Sequence, residues 1–567
     1  MKIRNILLLF VMHFACILFL SSSVLYAQNV KAFPGAEGFG QYSKGGRGGK
    51  IIKVTNLNDS GIGSLRRALE DTMPRIVVFE VGGLIDLETP IFIDHPYITI
   101  AGQTAPYPGI TIRGNGIRIY SHNVIMRFLK IRPGDVDFGP PNGWGGVDAL
   151  TISSRSGEVV HDIIIDHCSL SWAVDENMDA WGDGYNITIQ NTFITEALSN
   201  SKHPKGAHSK GMLVGLDIDR LTIYNNLFAH NANRSPRISN GGLVEVLNNV
   251  IYNYGQHAMK ISNGRHQNRM RANIIGNRFI KGPSSGAGLQ ISIWDPENQY
   301  GLLYLSGNKS ENSGNTDWDI VQGSEGWVKN ERLSPEDYES FKVDTPFETE
   351  FEGEFDSNYL YDYLLKQGGA SIPSRDAIDS RIITELKERK GKIIDSQSEK
   401  GGWNILSSRS SRVDENENGI ADTWEEDYSM NEGDEHLDYD NDGYTNIEEF
   451  LNGTHPDSDI NLGSDIFLHY REDRLTSSIN ENLIQIYPNP FSNRTNLEIT
   501  IKERDRIKIT IYNVLGQKVH EIFNNEVHPG VYQVEYEPDQ LSSGVYIILL
   551  NSNFGTIGKK FTIVNSR

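Results

Sequence analysis

Asp162-Ile163-Ile164-Ile165-Asp166-His167, Asn186-Ile187-Thr188-Ile189-Gln190-Asn191, Leu221-Thr222-Ile223-Tyr224-Asn225-Asn226, Val244-Glu245-Val246-Leu247-Asn248-Asn249 and Asn273-Ile274-Ile275-Gly276-Asn277 are short runs rich in β-branched residues, and Tyr97-Ile98-Thr99-Ile100 reads the same way. The last residues of the five longer runs are 24, 35, 23 and 28 positions apart. That interval is one coil of a parallel β-helix, with the longer steps holding inserted loops. A β-sandwich would instead place strands every ~8–12 residues, joined by hairpin turns. Asn191, Asn226, Asn249 and Asn277 are expected to stack into a hydrogen-bonded ladder along one turn, because a side-chain amide can satisfy the backbone groups that a turn leaves unpaired. The expected fold class is therefore all-β, a right-handed parallel β-helix running from about Lys50 to Pro283.

Composition agrees with this and narrows the function. The chain has 567 residues, more than one hydrophobic core usually supports. Its 55 glycines supply the positive-φ positions of many turns. A formal net charge of −21 argues against nonspecific attraction to nucleic acid or to anionic lipid. Lys2 and Arg4, an apolar run from Ile6 to Leu20, and Leu25-Tyr26-Ala27 have the layout of a cleavable secretory signal, with cleavage after Ala27. The run is shorter than the roughly 20 residues of a membrane span, so no transmembrane segment is expected in the mature chain. Cleavage removes Cys16 and leaves Cys168 alone, so the exported chain has no intramolecular disulfide.

Beyond about Leu406 the composition turns acidic. Asp414, Asn416, Asn418, Asp422 and Glu425 occupy positions 1, 3, 5, 9 and 12 of an EF-hand-type loop, with Gly419 at position 6. Asp438, Asp440, Asp442, Asn446 and Glu449 repeat the pattern around Gly443, 24 residues on. A carboxylate cluster repels itself until a divalent ion neutralises it, so Ca2+ is the expected ligand and a structural spacer the expected role. A polar linker follows, then alternating strands that read as a small β-sandwich. Its motifs Tyr487-Pro488-Asn489-Pro490, Asn513-Val514-Leu515-Gly516, Leu541-Ser542-Ser543-Gly544-Val545-Tyr546 and Lys559-Lys560 resemble the C-terminal sorting domain of Bacteroidetes proteins exported by the type IX system. The resemblance implies the type IX machinery as a partner and a secreted or cell-surface location. The domains expected are a signal at 1–27, a β-helix at 28–405, the acidic loops at 406–463, a linker at 464–483 and the sandwich at 484–567.

No HExxH or phosphate loop occurs, so zinc-peptidase and nucleotide chemistry have no handle. What remains is a set of charges at coil spacing. Asp148 and Asp175 are 27 residues apart, Asp179 and Lys210 31, and Lys210 and Arg234 24. All could line one face of the helix, although spacing alone leaves open a row of ordinary solvated charges.

Phe33-Pro34-Gly35-Ala36-Glu37-Gly38-Phe39-Gly40, Gly45-Gly46-Arg47-Gly48-Gly49 and Val54-Thr55-Asn56-Leu57-Asn58-Asp59-Ser60-Gly61, with Asp148-Ala149-Leu150, Ile165-Asp166-His167, Asp175 to Asp179, Lys210 to Gly215 and Arg234-Ser235-Pro236-Arg237, resemble the pectate lyases of polysaccharide lyase family one. The resemblance implies that Asp148, Asp175 and Asp179 hold Ca2+ bridging to a uronate, that Lys210 and Arg237 bind substrate carboxylate, and that Arg234 removes the C5 proton. It implies a structural role for Asp166 and His167. The substrate it implies is an acidic polysaccharide, cleaved by β-elimination by a chain expected to act as a monomer. One departure stands out: Ser239 occupies the place of the family's second arginine, five residues after the first, which leaves ulvan beside pectate as a substrate. A noncatalytic glycan-binding β-helix would not need Arg234, and a glycoside hydrolase would need paired carboxylates flanking the bond. Trp144, Trp172 and Trp181 could stack on sugar faces or pack at the rim.

Overall fold

The computed structural model describes residues 30–136, 147–262, 270–294, 301–324, 341–352, 357–403, 406–454 and 456, and in the C-terminal module 468–469, 483–487, 489, 491, 494–501, 505–513, 518–527, 530–536, 541, 543–552 and 555–563. The signal at 1–27, Trp144 and most of the linker at 464–483 lie outside these residues.

From Lys50 to Ser324 the chain winds into a right-handed parallel β-helix whose faces are sheets of 10, 9 and 9 parallel strands. After the first strand, Lys50–Val54, each coil contributes one strand to each sheet. The coil at the centre of the site runs through Val160–Asp166, Ser169–Ser171 and Glu176–Trp181 before the next begins at Gly184–Gln190. Inward residues stack by type: Val124, Ile163, Ile187, Leu221 and Val244 lie in direct register, all fully buried. This is the period-2 alternation of a strand repeated every coil, so each apolar side chain is covered by its counterparts above and below.

The asparagine ladder exists with three of its four expected members, Asn191 being the exception. Asn226, Asn249, Asn277 and Asn308 form it: the Asn226 Nδ2 donates to Asn249 Oδ1 at 3.0 Å, Asn249 Nδ2 to Asn277 Oδ1 at 3.0 Å, and Asn277 Nδ2 to Asn308 Oδ1 at 2.9 Å. Asn191 stands one position earlier, in a column of left-handed residues with His167, Asn225 and Asn248, with φ between 49° and 54°. Thr192 takes the ladder position in that coil, its N–H donating to Asn226 Oδ1 at 2.8 Å. Both roles suit asparagine, which bonds locally and tolerates φ > 0, and sequence spacing does not separate them. Asp166 and His167 are buried, and Asp166 accepts from Arg127 Nε at 2.8 Å and Gln190 Nε2 at 2.9 Å.

The glycine-rich N-terminal segment forms a strap across the outside of the ten-stranded sheet. Its backbone N–H groups donate to outward side chains of successive coils: Phe39 to Thr222 Oγ1 (3.1 Å), Gly40 to Thr188 Oγ1 (2.9 Å), Lys44 to Asn123 Oδ1 (3.0 Å) and Gly46 to Thr99 Oγ1 (2.9 Å). A Cβ on Gly40 would lie 2.3 Å from the Ile163 carbonyl oxygen, and one on Gly46 1.9 Å from that of Arg75. These glycines exist for close approach.

The helices Ser357–Gln367 and Ala377–Glu388 lie along the side of the β-helix. Leu364, Leu365, Ile382 and Leu386 pack on Trp172, Phe193, Leu227 and Tyr252, while Leu65 and Leu69 of the short helix Leu65–Leu69 join the main core. The acidic stretch expected as a spacer also docks: Ile420, Ile447 and Leu451 pack on Ile76, Val78 and Ala101. Arg47 Nε reaches both carboxylate oxygens of Glu448, at 2.8 and 2.9 Å. In the C-terminal module, two four-stranded antiparallel sheets share a core that includes Leu497, Ile499, Val534, Ile509, Ile548 and Phe561. No described helix is long and apolar enough to cross a membrane.

Gly40→Ala is expected to destabilise the protein by about 1–3 kcal/mol, the usual cost of forcing atoms into a packed site, because the obstructing atoms are backbone. Thermal unfolding measures this, and an unchanged melting temperature would mean that the strap can lift without loss.

Candidate active site

The charged residues singled out by spacing converge on the outer face of one nine-stranded sheet. Its strands Leu150–Ser153, Glu176–Trp181, Lys210–Leu216, Arg237–Asn240 and His257–Ser262 lie side by side. Thr151, Asp179, Leu213, Arg237 and Lys260 are in direct register, each flanked by inward residues such as Leu150, Met178, Met212, Ile238 and Met259. Alternation along the strand therefore turns this row outward. Three residues upstream, Glu176 pairs with Lys210, and Lys210 bridges to Asn233. Arg234 follows with φ 62°, and its carbonyl accepts from Met212 N at 2.6 Å. A Cβ on Gly211 would sit 2.5 Å from that oxygen, which explains the glycine after Lys210.

Asp148 accepts from the Glu176 N–H at 3.1 Å and the Thr151 hydroxyl at 3.2 Å. Ligand oxygens of Asp148, Asp175 and Glu176 lie within 4.8 Å of one another, and Asp179 Oδ1 is buried with no hydrogen-bond partner. Burial, and then the neighbouring Asp175 charge, push the Asp148 carboxyl up to about 7. Burial together with Asp148 and Asp175 raises Asp179 well above the usual carboxylate range. For Asp175 burial pushes upward but is outweighed by the His208 hydrogen bond and charge, so its carboxyl sits below the ordinary value.

On the far side the cations crowd. Burial and Arg237 bring the Arg234 guanidinium down to about 10, against the pull of Asp175 and Asp148. Burial and Arg237 lower Lys210, and burial lowers Arg237. Lys260 falls to about 8 through burial and the charges of Arg237, Arg234 and Lys210.

Four participants escape sequence reasoning. Glu176 receives the Arg234 Nη1 and shares the acidic cluster, whereas the 27-residue step pointed to Asp175. The register step from Asp148 is 28. His208 Nε2 and His203 Nε2 stand 2.7 and 3.3 Å from the two oxygens of Asp175, with their rings stacked at 3.7 Å. They sit on an inserted loop with no repeat to betray them. Lys260 was legible only as the next outward residue after Arg237. Of the tryptophans, Trp172 is buried with Nε1 bonded to Glu196 Oε2 at 3.0 Å and is unavailable to a sugar, while Trp181 is 37% exposed.

The acidic cluster suits a hard divalent cation. Its donors are carboxylate oxygens, one of them an orphan, and the cost of their mutual repulsion is what a bound ion relieves. The second acidic loop passes the same test, because Asp438 Oδ1, Asn446 Oδ1 and Glu449 Oε2 are buried without partners. Burial, then Asp442 and Asp440, drive the Glu449 carboxyl up to about 9. The first loop instead satisfies itself: Asn416 and Asn418 Nδ2 donate to Glu425 at 3.0 Å and as a close contact of 2.6 Å, and Lys53 Nζ lies 3.1 Å from Asp414 Oδ2. Asp422 Oδ1 accepts from Glu415 N at 2.9 Å.

A parallel β-helix with an outward row of carboxylates beside arginines and lysines is the architecture of a polysaccharide lyase. Residues 485–564 match the family model described as a secretion system C-terminal sorting domain, which directs type IX export to the cell surface or the medium. Two relatives named "Probable pectate lyase C" are 36% identical over 433 residues in Aspergillus terreus and 34% in Aspergillus flavus, each match covering 75% of this chain and 94% of the relative. The crystal structure of Jun a 1, the major allergen from cedar pollen, is 20% identical with a TM-score of 0.38, covering 62% of this chain and 97% of that one. By its similarity to the Aspergillus proteins, the chain belongs to the pectate lyase family.

Calcium is expected to raise the melting temperature of the full chain, by mass action on the folded state. Glu449→Gln is expected to shrink that rise, since it removes a buried carboxylate oxygen from the second loop. Differential scanning calorimetry with calcium or with chelator measures both, and an equal calcium response in the variant would take Glu449 out of the ligand set.

Proposed function

We propose that the protein is a secreted, calcium-dependent lyase that cleaves pectate, a polymer of uronate, by β-elimination to 4,5-unsaturated oligosaccharides. The observation that supports this most is the sharing of one outward sheet face by the Asp148, Asp175 and Asp179 carboxylates and the Lys210, Arg234 and Arg237 cations. Asp148, Asp175 and Asp179, joined by Glu176, would hold Ca2+. Bound there, the ion would withdraw charge from the substrate carboxylate and so acidify the adjoining C5–H.

Lys210 and Arg237 bind uronate carboxylates and fix the sugar on the sheet. Arg234 takes the C5 proton, the C5 electron pair forms the C4–C5 double bond, and the glycosidic oxygen leaves C4 with its bonding pair. An arginine is a poor base because its guanidinium is ordinarily protonated. Burial and Arg237 lower that proton's affinity, and the contact with Glu176 orients the guanidinium. The printed names of the Aspergillus relatives support pectate as the substrate. Ser239 in place of a second arginine keeps ulvan in the substrate screen. The docked acidic module would take further calcium in a structural role at Asp438, Asp440, Asp442, Asn446 and Glu449, whereas in the first loop Asp414, Asn416, Asn418, Asp422 and Glu425 would have to exchange internal hydrogen bonds for the ion.

Arg234→Lys keeps the charge but moves the nitrogen and discards the planar fork. It is expected to reduce formation of the unsaturated product by roughly 10²-fold or more, the usual worth of a positioned base, with calcium affinity and thermal stability little changed. Near wild-type turnover by this variant at saturating calcium would remove Arg234 from the chemistry.

A further inference from the structure

One feature of the active face is unused by the chemistry above. Trp181 ends the strand Glu176–Trp181, two residues beyond Asp179 on the same outward side. Its register partner in the next coil is Gly215, and a Cβ built on Gly215 would fall 2.2 Å from the indole Cζ3 and 2.3 Å from Cε3. The six-membered ring therefore lies across the Gly215 backbone. Gly215 has no positive φ to explain it, and a glycine inside a strand weakens the strand. The ring is the reason for this glycine.

The surroundings extend the platform. Past Gly215 the same row continues with the small residue Ser239. In the neighbouring outward row Leu213 stands in register between Asp179 and Arg237 and is only partly buried. A strip of Trp181 and Leu213 thus interrupts an otherwise charged face, with carboxylates on one side and cations on the other. A large indole left 37% exposed there offers a flat apolar surface, which suits the C–H face of a pyranose ring, while Arg237 and Lys260 carry the positive charge in the neighbouring row.

We propose that Trp181, laid flat by Gly215, is a stacking platform for one sugar ring of the bound uronate chain and so a determinant of substrate affinity. The proposal rests on the reading of this face as the uronate-binding face. Packing at the rim is the competing role, and it makes a different prediction: loss of Trp181 would then lower stability and leave binding alone.

The test compares Trp181→Ala, Trp181→Phe and Gly215→Ala with the wild-type full chain. With polygalacturonate at saturating calcium, Trp181→Ala is expected to raise KM roughly tenfold, the upper end of what one aromatic contact adds, with kcat within about twofold. Trp181→Phe should recover part of the loss. Gly215→Ala should raise KM without any change to Trp181 itself, because the new methyl must lift the ring. Calcium affinity and melting temperature should hold in Trp181→Phe. Wild-type KM in Trp181→Ala, or a lowered melting temperature with KM unchanged, overturns the proposal. Retardation in native gels cast with polygalacturonate, methylated pectin, alginate or ulvan gives a readout without turnover. If the wild-type protein cleaves none of these polymers, the reaction assigned above fails. The platform then stands if Trp181→Ala is retarded less than wild type in any of them, and falls if retardation is equal in all.

Discussion

The register between coils is the constraint on which everything else in this molecule depends. Backbone hydrogen bonds of a parallel sheet hold neighbouring strands about 4.8 Å apart, and the stacked aliphatic core and the Asn226 to Asn308 ladder leave no freedom to slide by one residue. A slip by one would send Ile163 and Ile187 outward and break the amide chain at once. The same rigidity assembles the active face. Residues such as Asp148, Glu176 and Lys210 are far apart in sequence and adjacent in space only because each coil repeats the path of the one before.

That arrangement forces like charges together, at a cost in stability the rest of the fold must cover. Four carboxylates share one cluster and four cations the next strands along, and burial strengthens both repulsions. Beneath this face Met178, Met212, Ile238 and Met259 are apolar, and the buried Asn177 is spent on the Ala173 N–H, the Thr195 carbonyl and Asn231. Neutralisation comes from within the face, as in the contact of Arg234 with Glu176, or from what binds there. Such a surface is selective for a partner carrying both anionic groups and a means of neutralising the acids.

The fold was legible because its signal is periodic. Isoleucine-rich runs at coil spacing suffice to identify a β-helix, and charges at that spacing made Asp148, Asp175, Asp179, Lys210 and Arg234 candidates for one face, with Arg237 added only by the family resemblance. The exact register was not legible, because inserted loops change the coil length. Asparagine also serves both the left-handed turn position and the ladder position beside it, hence Asn191 in the wrong column and Asp175 read where Glu176 is the rung. His203 and His208 were invisible for a different reason, since loop residues carry no repeat. The acidic stretch was recognisable by composition, but composition says nothing of docking; that came from Ile420, Ile447 and Leu451, three apolar residues among many charges.

The N-terminal strap changes the way such a molecule can come apart. A bare solenoid, in which each coil touches only its neighbours, can fray one coil at a time. Here a single segment is fastened to Thr99, Asn123, Thr188 and Thr222, and the bond from Phe39 to Thr222 spans 183 residues of chain. This segment, which precedes every coil in the sequence, is consequently among the last to find its place, since its hydrogen-bond acceptors do not exist as a surface until the coil containing Thr222 has closed. Contacts of that sequence separation slow folding, and they bind the central coils into one cooperative unit that opens together or not at all.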